Sequence, residues 1–204
     1  MTVILVLFTF ILFLLIDHFM TRNRVVTIEK PVRPPVTLPS LVNGFRLPEN
    51  LRYHPGHTWA LGESPSLTRV GMDEFAAKLI GNADEIILPA RGTWVRQGQK
   101  FATIRRGDKT VNLLSPIEGS ITDINETTLE HRLDPYNEGW LMTVQAPDQK
   151  TCFRNLMIGR IAKWWAEEAV TRMQNPAFAQ DGGEAMDDFA GEAWEEKAKE
   201  YFLN

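Results

Sequence analysis

The chain contains little of what several protein classes depend on. Cys152 is the single cysteine among 204 residues, which excludes an internal disulfide framework and a multi-cysteine metal site. The formal net charge is only -4, so charge gives no sign of a nucleic-acid partner. The sequence has neither a glycine-rich phosphate loop nor a recognisable nucleophile with its base. We therefore predict that the protein is not an enzyme, and no small-molecule substrate is evident.

Histidine is also scarce, with four in the chain. Two of them, His54 and His57, flank Pro55-Gly56 and superficially resemble a metal-binding pair. No third ligand follows at a suitable spacing, and zinc sites need three or four protein groups. We therefore predict no metal site. We expect His57 to pack and hydrogen-bond at the start of a strand.

Val3–Ile16 is continuously apolar apart from Thr9, and Arg22 is the first arginine or lysine of the chain. Residues 1–20 just reach the ~20 residues that a membrane-spanning helix needs. Because basic residues follow the apolar run, the positive-inside rule places the N-terminus outside. We predict a single-pass transmembrane helix over residues 1–20 in the inner (cytoplasmic) membrane, with the globular part in the cytoplasm. The alternative is an uncleaved export signal.

Prolines separate this run from the rest of the chain. Four of them lie between residues 27 and 40, which favours an extended, semi-rigid spacer. We predict a proline-rich linker over residues 21–44. From residue 45 to residue 147, short β-like runs alternate with Gly, Pro, Asn and Asp. Eight strands are predicted in that region: Thr58–Ala60, Leu67–Val70, Glu85–Ile87, Thr93–Val95, Lys100–Arg105, Thr110–Leu114, Gly119–Ile124 and Trp140–Val144.

One helix, Met72 to Ile80, interrupts the strands because its apolar residues recur at helical spacing. Many short strands with frequent turns predict a mainly β domain, a sandwich or a flattened barrel. Several motifs in this domain occur together and in a specific order. They are Tyr53-His54-Pro55-Gly56-His57-Thr58-Trp59, Leu114-Ser115-Pro116-Ile117-Glu118-Gly119 and Asp134-Pro135-Tyr136-Asn137-Glu138-Gly139-Trp140-Leu141.

The order of these motifs resembles the H protein of the glycine cleavage system, a member of the biotinyl/lipoyl-like family. The resemblance covers about half of the chain and implies a lipoyl-type barrel over residues 45–147. It also implies a lysine that carries lipoate at the tip of a hairpin. Aligned without gaps from Ser115-Pro116, the position of that lysine falls on Asp108. A carboxylate cannot form the amide that holds lipoate.

The neighbouring residue, Lys109, is the remaining candidate for lipoate attachment. Gly107-Asp108 is a good two-residue turn, so Lys109 should begin the returning strand. A shift of one residue in a strand points a side chain to the opposite face. We therefore predict no cofactor, with lipoate on Lys109 as the alternative.

Two helices are predicted beyond the barrel. Residues 148–175 contain an amphipathic helix from Arg154 to Met173, expected to pack on the domain. Residues 176–204 form an acidic tail with a second amphipathic helix, which docks either on its own domain or on a partner; a disordered tail is the alternative. The candidate partner-binding residues are Arg105, Arg106, Trp164, Trp165, Phe189, Trp194 and Tyr201.

Three functions are consistent with these features. The first is a membrane-tethered, non-lipoylated H-protein-like scaffold or accessory subunit of a membrane-associated complex. The second is a lipoyl carrier that uses Lys109 in a cytoplasmic multi-enzyme system such as glycine cleavage. The third is a regulator that binds a partner through its acidic tail. In each case the expected partners are other protein subunits, with the membrane contacted through residues 1–20.

Overall fold

The computed structural model describes residues 36–37, 39–81, 83–127, 134–174 and 192–203. Eleven strands and four helices occupy these residues in the following order: β1 Pro39–Val42, β2 Phe45–Pro48, β3 Arg52–His54, β4 Thr58–Gly62, β5 Leu67–Met72, α1 Glu74–Ile80, β6 Glu85–Ile87, β7 Trp94–Val95, β8 Lys100–Arg106, β9 Lys109–Leu114, β10 Gly119–Ile124, β11 Trp140–Gln145, α2 Gln149–Arg154, α3 Gly159–Gln174 and α4 Glu192–Phe202.

The strands form three antiparallel sheets. The largest has six strands in the order β3-β4-β5-β11-β10-β7, and a three-stranded sheet has the order β6-β8-β9. β1 and β2 form a separate hairpin. Buried side chains from both larger sheets, such as Val70 and Leu141 from one and Ile104 and Leu113 from the other, share one hydrophobic core. The fold is therefore mainly β, a half-barrel or sandwich, as the strand pattern predicts.

A second, smaller core joins the six-stranded sheet to the long helix α3. Trp59 and Tyr53 are almost fully buried there, together with Ala162 and Ala166 of α3. The small side chains of these alanines let the helix approach the aromatic rings closely. This contact lies within residues 148–175, for which we predict an amphipathic helix that packs on the domain.

The helix boundaries differ from the predicted ones for local reasons. Met72 completes β5, and the Asp73 carboxylate caps α1 by accepting a hydrogen bond from the backbone N–H of Ala76 at 2.7 Å. The predicted helix from Arg154 is divided because the backbone of Met157 exchanges two hydrogen bonds with that of Tyr53. The long helix consequently begins at Gly159.

The structure also differs from the prediction of a linker up to residue 44. Pro39–Val42 pairs with Phe45–Pro48, and the two-residue turn between them is Asn43-Gly44. Both turn residues have positive φ, 47° and 87°, as this class of hairpin turn requires. The side chains of Val42 and Leu47 are buried in the smaller core, so the end of the proposed linker belongs to the folded domain.

None of the described helices is both long and apolar enough to span a membrane. The predicted transmembrane helix at residues 1–20 lies outside the described residues.

Candidate functional site

The hairpin of β8 and β9 ends in a clamped, two-residue turn. The last pair of the ladder joins Arg106 to Lys109, which leaves Gly107 and Asp108 as the turn. Gly107 has φ of +60°, a conformation that glycine adopts without steric cost. Its backbone N–H donates to the Asp84 carboxylate at 2.6 Å, and the N–H of Asp84 donates to the carbonyl of Arg105 at 2.8 Å. The tip is therefore held in one position.

Lys109 is the first residue of β9 and directly follows the turn. Its Nζ lies 3.2 Å from Oε2 of Glu195, which belongs to α4. The side chains of Lys109 and Glu195 are 26% and 22% exposed, so the ion pair is largely covered. The hydrogen bond from Lys199, and after it the one from Lys109, lowers the pKa of the Glu195 carboxyl group.

The α4 helix docks on its own domain, beside the hairpin. It packs along β9 and against α1. Ala198 and Phe202 are fully buried and Tyr201 nearly so, all within the main core. The rings of Tyr201 and Phe75 are 5.0 Å apart. Of the two docking modes that the sequence left open, the structure shows the intramolecular one.

His57 lies under the C-terminal end of α4. Its Nδ1 is 2.8 Å from the carboxylate of Asp73, and both side chains are buried. The imidazole is stacked on Phe75 at 4.4 Å and contacts Trp165 at 4.6 Å. This is the packed, hydrogen-bonded position that the sequence predicts for His57.

His54 should make the stability of the domain depend on pH. Its Nδ1 accepts a hydrogen bond from the backbone N–H of Gly56 at 3.1 Å. Burial, and then repulsion from His57, lowers the pKa of His54 to about 4. The unfolded chain takes up that proton near pH 6.5, so stability is full above pH 6.5 and declines as the pH falls towards 4.

The His54 side chain is partly exposed, which reduces the effect of the lowered pKa on stability. We expect His54 to lower the free energy of unfolding by on the order of 2 kcal/mol between pH 6.5 and pH 4. Denaturant unfolding of the wild type and of His54→Asn at several pH values measures it. Asparagine keeps an acceptor for the Gly56 N–H but does not titrate, so its stability should fall less between pH 6.5 and 4. Equal falls in both proteins would show that His54 is not the cause.

The candidate partner residues lie in different environments. The guanidinium group of Arg105 pairs with the Glu85 carboxylate on the neighbouring strand β6, and Arg106 is half-buried beside the turn. Trp164 is 68% exposed on α3, whereas the adjacent Trp165 packs against Tyr53 and His57. The predicted Trp164-Trp165 surface is thus divided between solvent and core.

The remaining partner candidates lie in the tail. Tyr201 faces its own domain and is buried there, which contradicts its assignment as a contact for another protein. Its position on the same helical face as Ala198 explains this burial. Trp194 is part of α4, of which only the backbone is described at that residue, and Phe189 lies outside the described residues.

The sequence pattern did not indicate Glu195 as part of this site. Within α4 it is one acidic residue among several, and it directly precedes Glu196, which is exposed. Only the docked position of the helix distinguishes the two carboxylates, because one faces Lys109 and the other faces solvent.

Comparison with known proteins settles the family. Residues 51–168 match the family model described as Glycine cleavage H-protein. The chain belongs to the glycine cleavage H-protein family. It is 31% identical over 110 residues to a glycine cleavage system H protein of Anaeromyxobacter sp. (strain K), covering 52% of this chain and 85% of that protein. It is 34% identical over 108 residues to the H protein of Rubrobacter xylanophilus, covering 50% and 84% of the two chains.

A crystal structure of the H protein from Mycobacterium marinum also resembles this H-protein domain. It aligns with a TM-score of 0.49 and 22% sequence identity, over 60% of this chain and 98% of that chain.

Family membership corrects the prediction that the chain has no cofactor. That prediction is wrong, because lipoate is the group that the H-protein resemblance implies. The lack of a lysine at position 108 was the ground for that prediction, and it does not outweigh the family match over residues 51–168. The comparisons likewise favour the lipoyl carrier over the non-lipoylated scaffold.

The hairpin carries a side chain whose chemistry suits the attachment of an acyl group such as lipoate. Lipoate is bound through an amide, for which the primary amine of Lys109 is suitable and the carboxylate of Asp108 is not. Lys109 closes the hairpin immediately after the turn, and part of its side chain reaches solvent. The family match ends at residue 168, so α4 lies outside it.

Proposed function

We propose that this H-protein family member is a lipoyl carrier and that Lys109 is its attachment residue. The observation that supports this proposal most directly is the place of Lys109 in the closing pair of a hairpin whose turn is clamped by Asp84. In the attachment step Nζ attacks the carbonyl carbon of an activated lipoyl donor. An amide bond forms, the donor's leaving group departs and the amine loses a proton.

A bound lipoyl group supplies a disulfide on a long flexible arm, which carries a reaction intermediate from one enzyme to another. The protein contributes a fixed base for that arm. Two antiparallel strands hold the amine, and the Asp84 carboxylate holds the turn. In this role the chain itself catalyses no step, and its partners are the enzymes of a glycine-cleavage-type system.

Reconstitution tests this function. The full-length chain, lipoylated and kept in mild detergent, replaces the H protein in a reconstituted glycine cleavage system. Glycine-dependent release of carbon dioxide should depend on the chain and increase with its concentration. An authentic H protein serves as the positive control, and the unlipoylated chain serves as the negative one. No turnover with the lipoylated chain, alongside full activity of the control protein, would contradict the proposal.

We further propose that residues 1–20 tether this carrier to the inner membrane. The support is that residues 1–20, in which Asp17 is the one carboxylate, just reach the length of a spanning helix, and that arginine and lysine residues follow them. In cell fractionation, the full-length chain should remain with the membranes after high-salt and carbonate washes. A chain that begins at residue 21 should move to the soluble fraction. Recovery of the full-length chain among the soluble proteins would contradict the tether.

A further inference from the structure

The amine proposed for lipoate attachment is held by the chain's own C-terminal helix. Nζ of Lys109 lies 3.2 Å from Glu195, and the same carboxylate also accepts a hydrogen bond from Lys199 one turn further along α4. Three quarters of the Lys109 side chain is covered, with an exposed fraction of 26%. By contrast Lys100, at the far end of the same hairpin, is exposed.

The contact with Glu195 is one end of a longer docked surface. On the same face of α4, Ala198, Tyr201 and Phe202 follow at helical spacing and are buried in the core. Glu195 and Phe202 are about 10 Å apart along the helix axis, at 1.5 Å per residue. The helix therefore extends from the tip of the hairpin to the region of His57, where the rings of Phe202 and His57 are 6.5 Å apart.

We propose that α4 is an autoinhibitory element, which must leave β9 before Lys109 takes an acyl group. This inference rests on the proposed function of Lys109. An enzyme that acylates Lys109 has to bring an activated carbonyl carbon within bonding distance of Nζ. The docked helix already occupies space along the strand that bears this amine, and its carboxylate lies against the amine itself.

Acylation and docking of α4 oppose each other in both directions. An amide on Nζ carries no positive charge, so it ends the ion pair with Glu195. The attached chain also has to pass through the space in which the helix lies. Since coupling between two states is reciprocal, a helix that hinders acylation is itself displaced by acylation.

Chemical acetylation tests this without any lipoylating enzyme. The full-length chain in mild detergent is treated with a limiting amount of N-hydroxysuccinimidyl acetate, and peptide mass spectrometry gives the ratio of acetylated Lys109 to acetylated Lys100. Lys109 should react more slowly than Lys100 in the wild type. Glu195→Gln should raise the ratio roughly 1.5- to 5-fold, the range expected for loss of one partly exposed ion pair.

Two further variants complete the design. Glu196→Gln makes the same change of charge at the adjacent, exposed position and should leave the ratio unchanged. Ala198→Asp places a charge at a fully buried position, which should release α4 and bring the Lys109 rate up to that of Lys100. Hydrogen exchange of residues 192–203 reports the release directly.

The outcomes separate the two proposals. A ratio that stays at the wild-type value in both Glu195→Gln and Ala198→Asp would overturn the autoinhibitory role. If the ratio rises as expected but the native protein carries no lipoyl group, the helix still covers Lys109 and the proposed function fails. If Lys109 is lipoylated and the variants leave the ratio unchanged, the function stands and the autoinhibitory role does not.

Discussion

Replacement of Lys109 by arginine should abolish attachment of lipoate. Arginine retains the positive charge that pairs with Glu195, so the docked α4 helix should be unaffected. The guanidinium group stays protonated, however, and does not act as the nucleophile that forms the amide. With a lipoate ligase and an activated lipoyl donor, the wild-type chain should gain one lipoyl group by intact mass. Lys109→Arg should gain none.

Two further variants control this experiment. Lys100→Arg changes the lysine at the other end of β8 and should be lipoylated as well as the wild type. Asp108→Lys in the Lys109→Arg background returns an amine to the turn and should restore labelling, which would show that the hairpin is still recognised. Undiminished labelling of the Lys109→Arg chain would exclude Lys109 as the attachment residue.

Replacement of Gly71 by alanine should destabilise the domain by about 3 kcal/mol. A methyl group at this position would lie 2.4 Å from Cζ2 of Trp59, well inside the contact distance. The indole has no room to move because Trp59 is fully buried. Its Nε1–H also donates to the carbonyl of Met72 at 2.8 Å. Urea unfolding followed by tryptophan fluorescence measures the change.

Gly62 is the matched control for this substitution. It lies on the strand paired with β5, and a methyl group there would meet its nearest neighbours at 3.4 Å, an ordinary contact. Gly62→Ala should change the free energy of unfolding by less than about 1 kcal/mol. Similar losses in both variants would mean that the contact between Gly71 and Trp59 does not limit the packing of this sheet.

The barrel was largely predictable because its local signals agree with one another. Glu85–Ile87 and Gly119–Ile124 form strands with the predicted boundaries, and Gly107-Asp108 forms the predicted turn. Turn residues bound each of these runs on both sides, which fixes where a strand can begin and end.

The hairpin of β1 and β2 was missed although its turn carries a strong signal. Asn43-Gly44 lies between Val42 and Phe45, the arrangement typical of a two-residue hairpin turn. The density of prolines before it favoured a spacer instead. Pro39 and Pro48 are paired at the open end of this hairpin, which is separate from the two larger sheets. A strand can lack a backbone N–H at such an edge position without losing a hydrogen bond of a central ladder.

The contact between α4 and the hairpin could not be read from the sequence. Periodicity shows that one face of a helix is apolar, but it does not show which surface covers that face. The pairing of Lys109 with Glu195 depends on how far α4 lies along β9, which only tertiary packing determines. The cofactor prediction relied on one aligned position, Asp108, whereas the family match that corrects it extends over residues 51–168.

Peptide mapping of the native protein tests the central claim most directly. The full-length protein is purified in mild detergent from the cells that produce it naturally, digested, and the peptides that contain residues 107–114 are measured by mass spectrometry. We predict a peptide with one lipoyl group and fragment ions that assign the group to Lys109. Native protein in which Lys109 is entirely unmodified, in cells whose other lipoyl proteins are loaded, would contradict it.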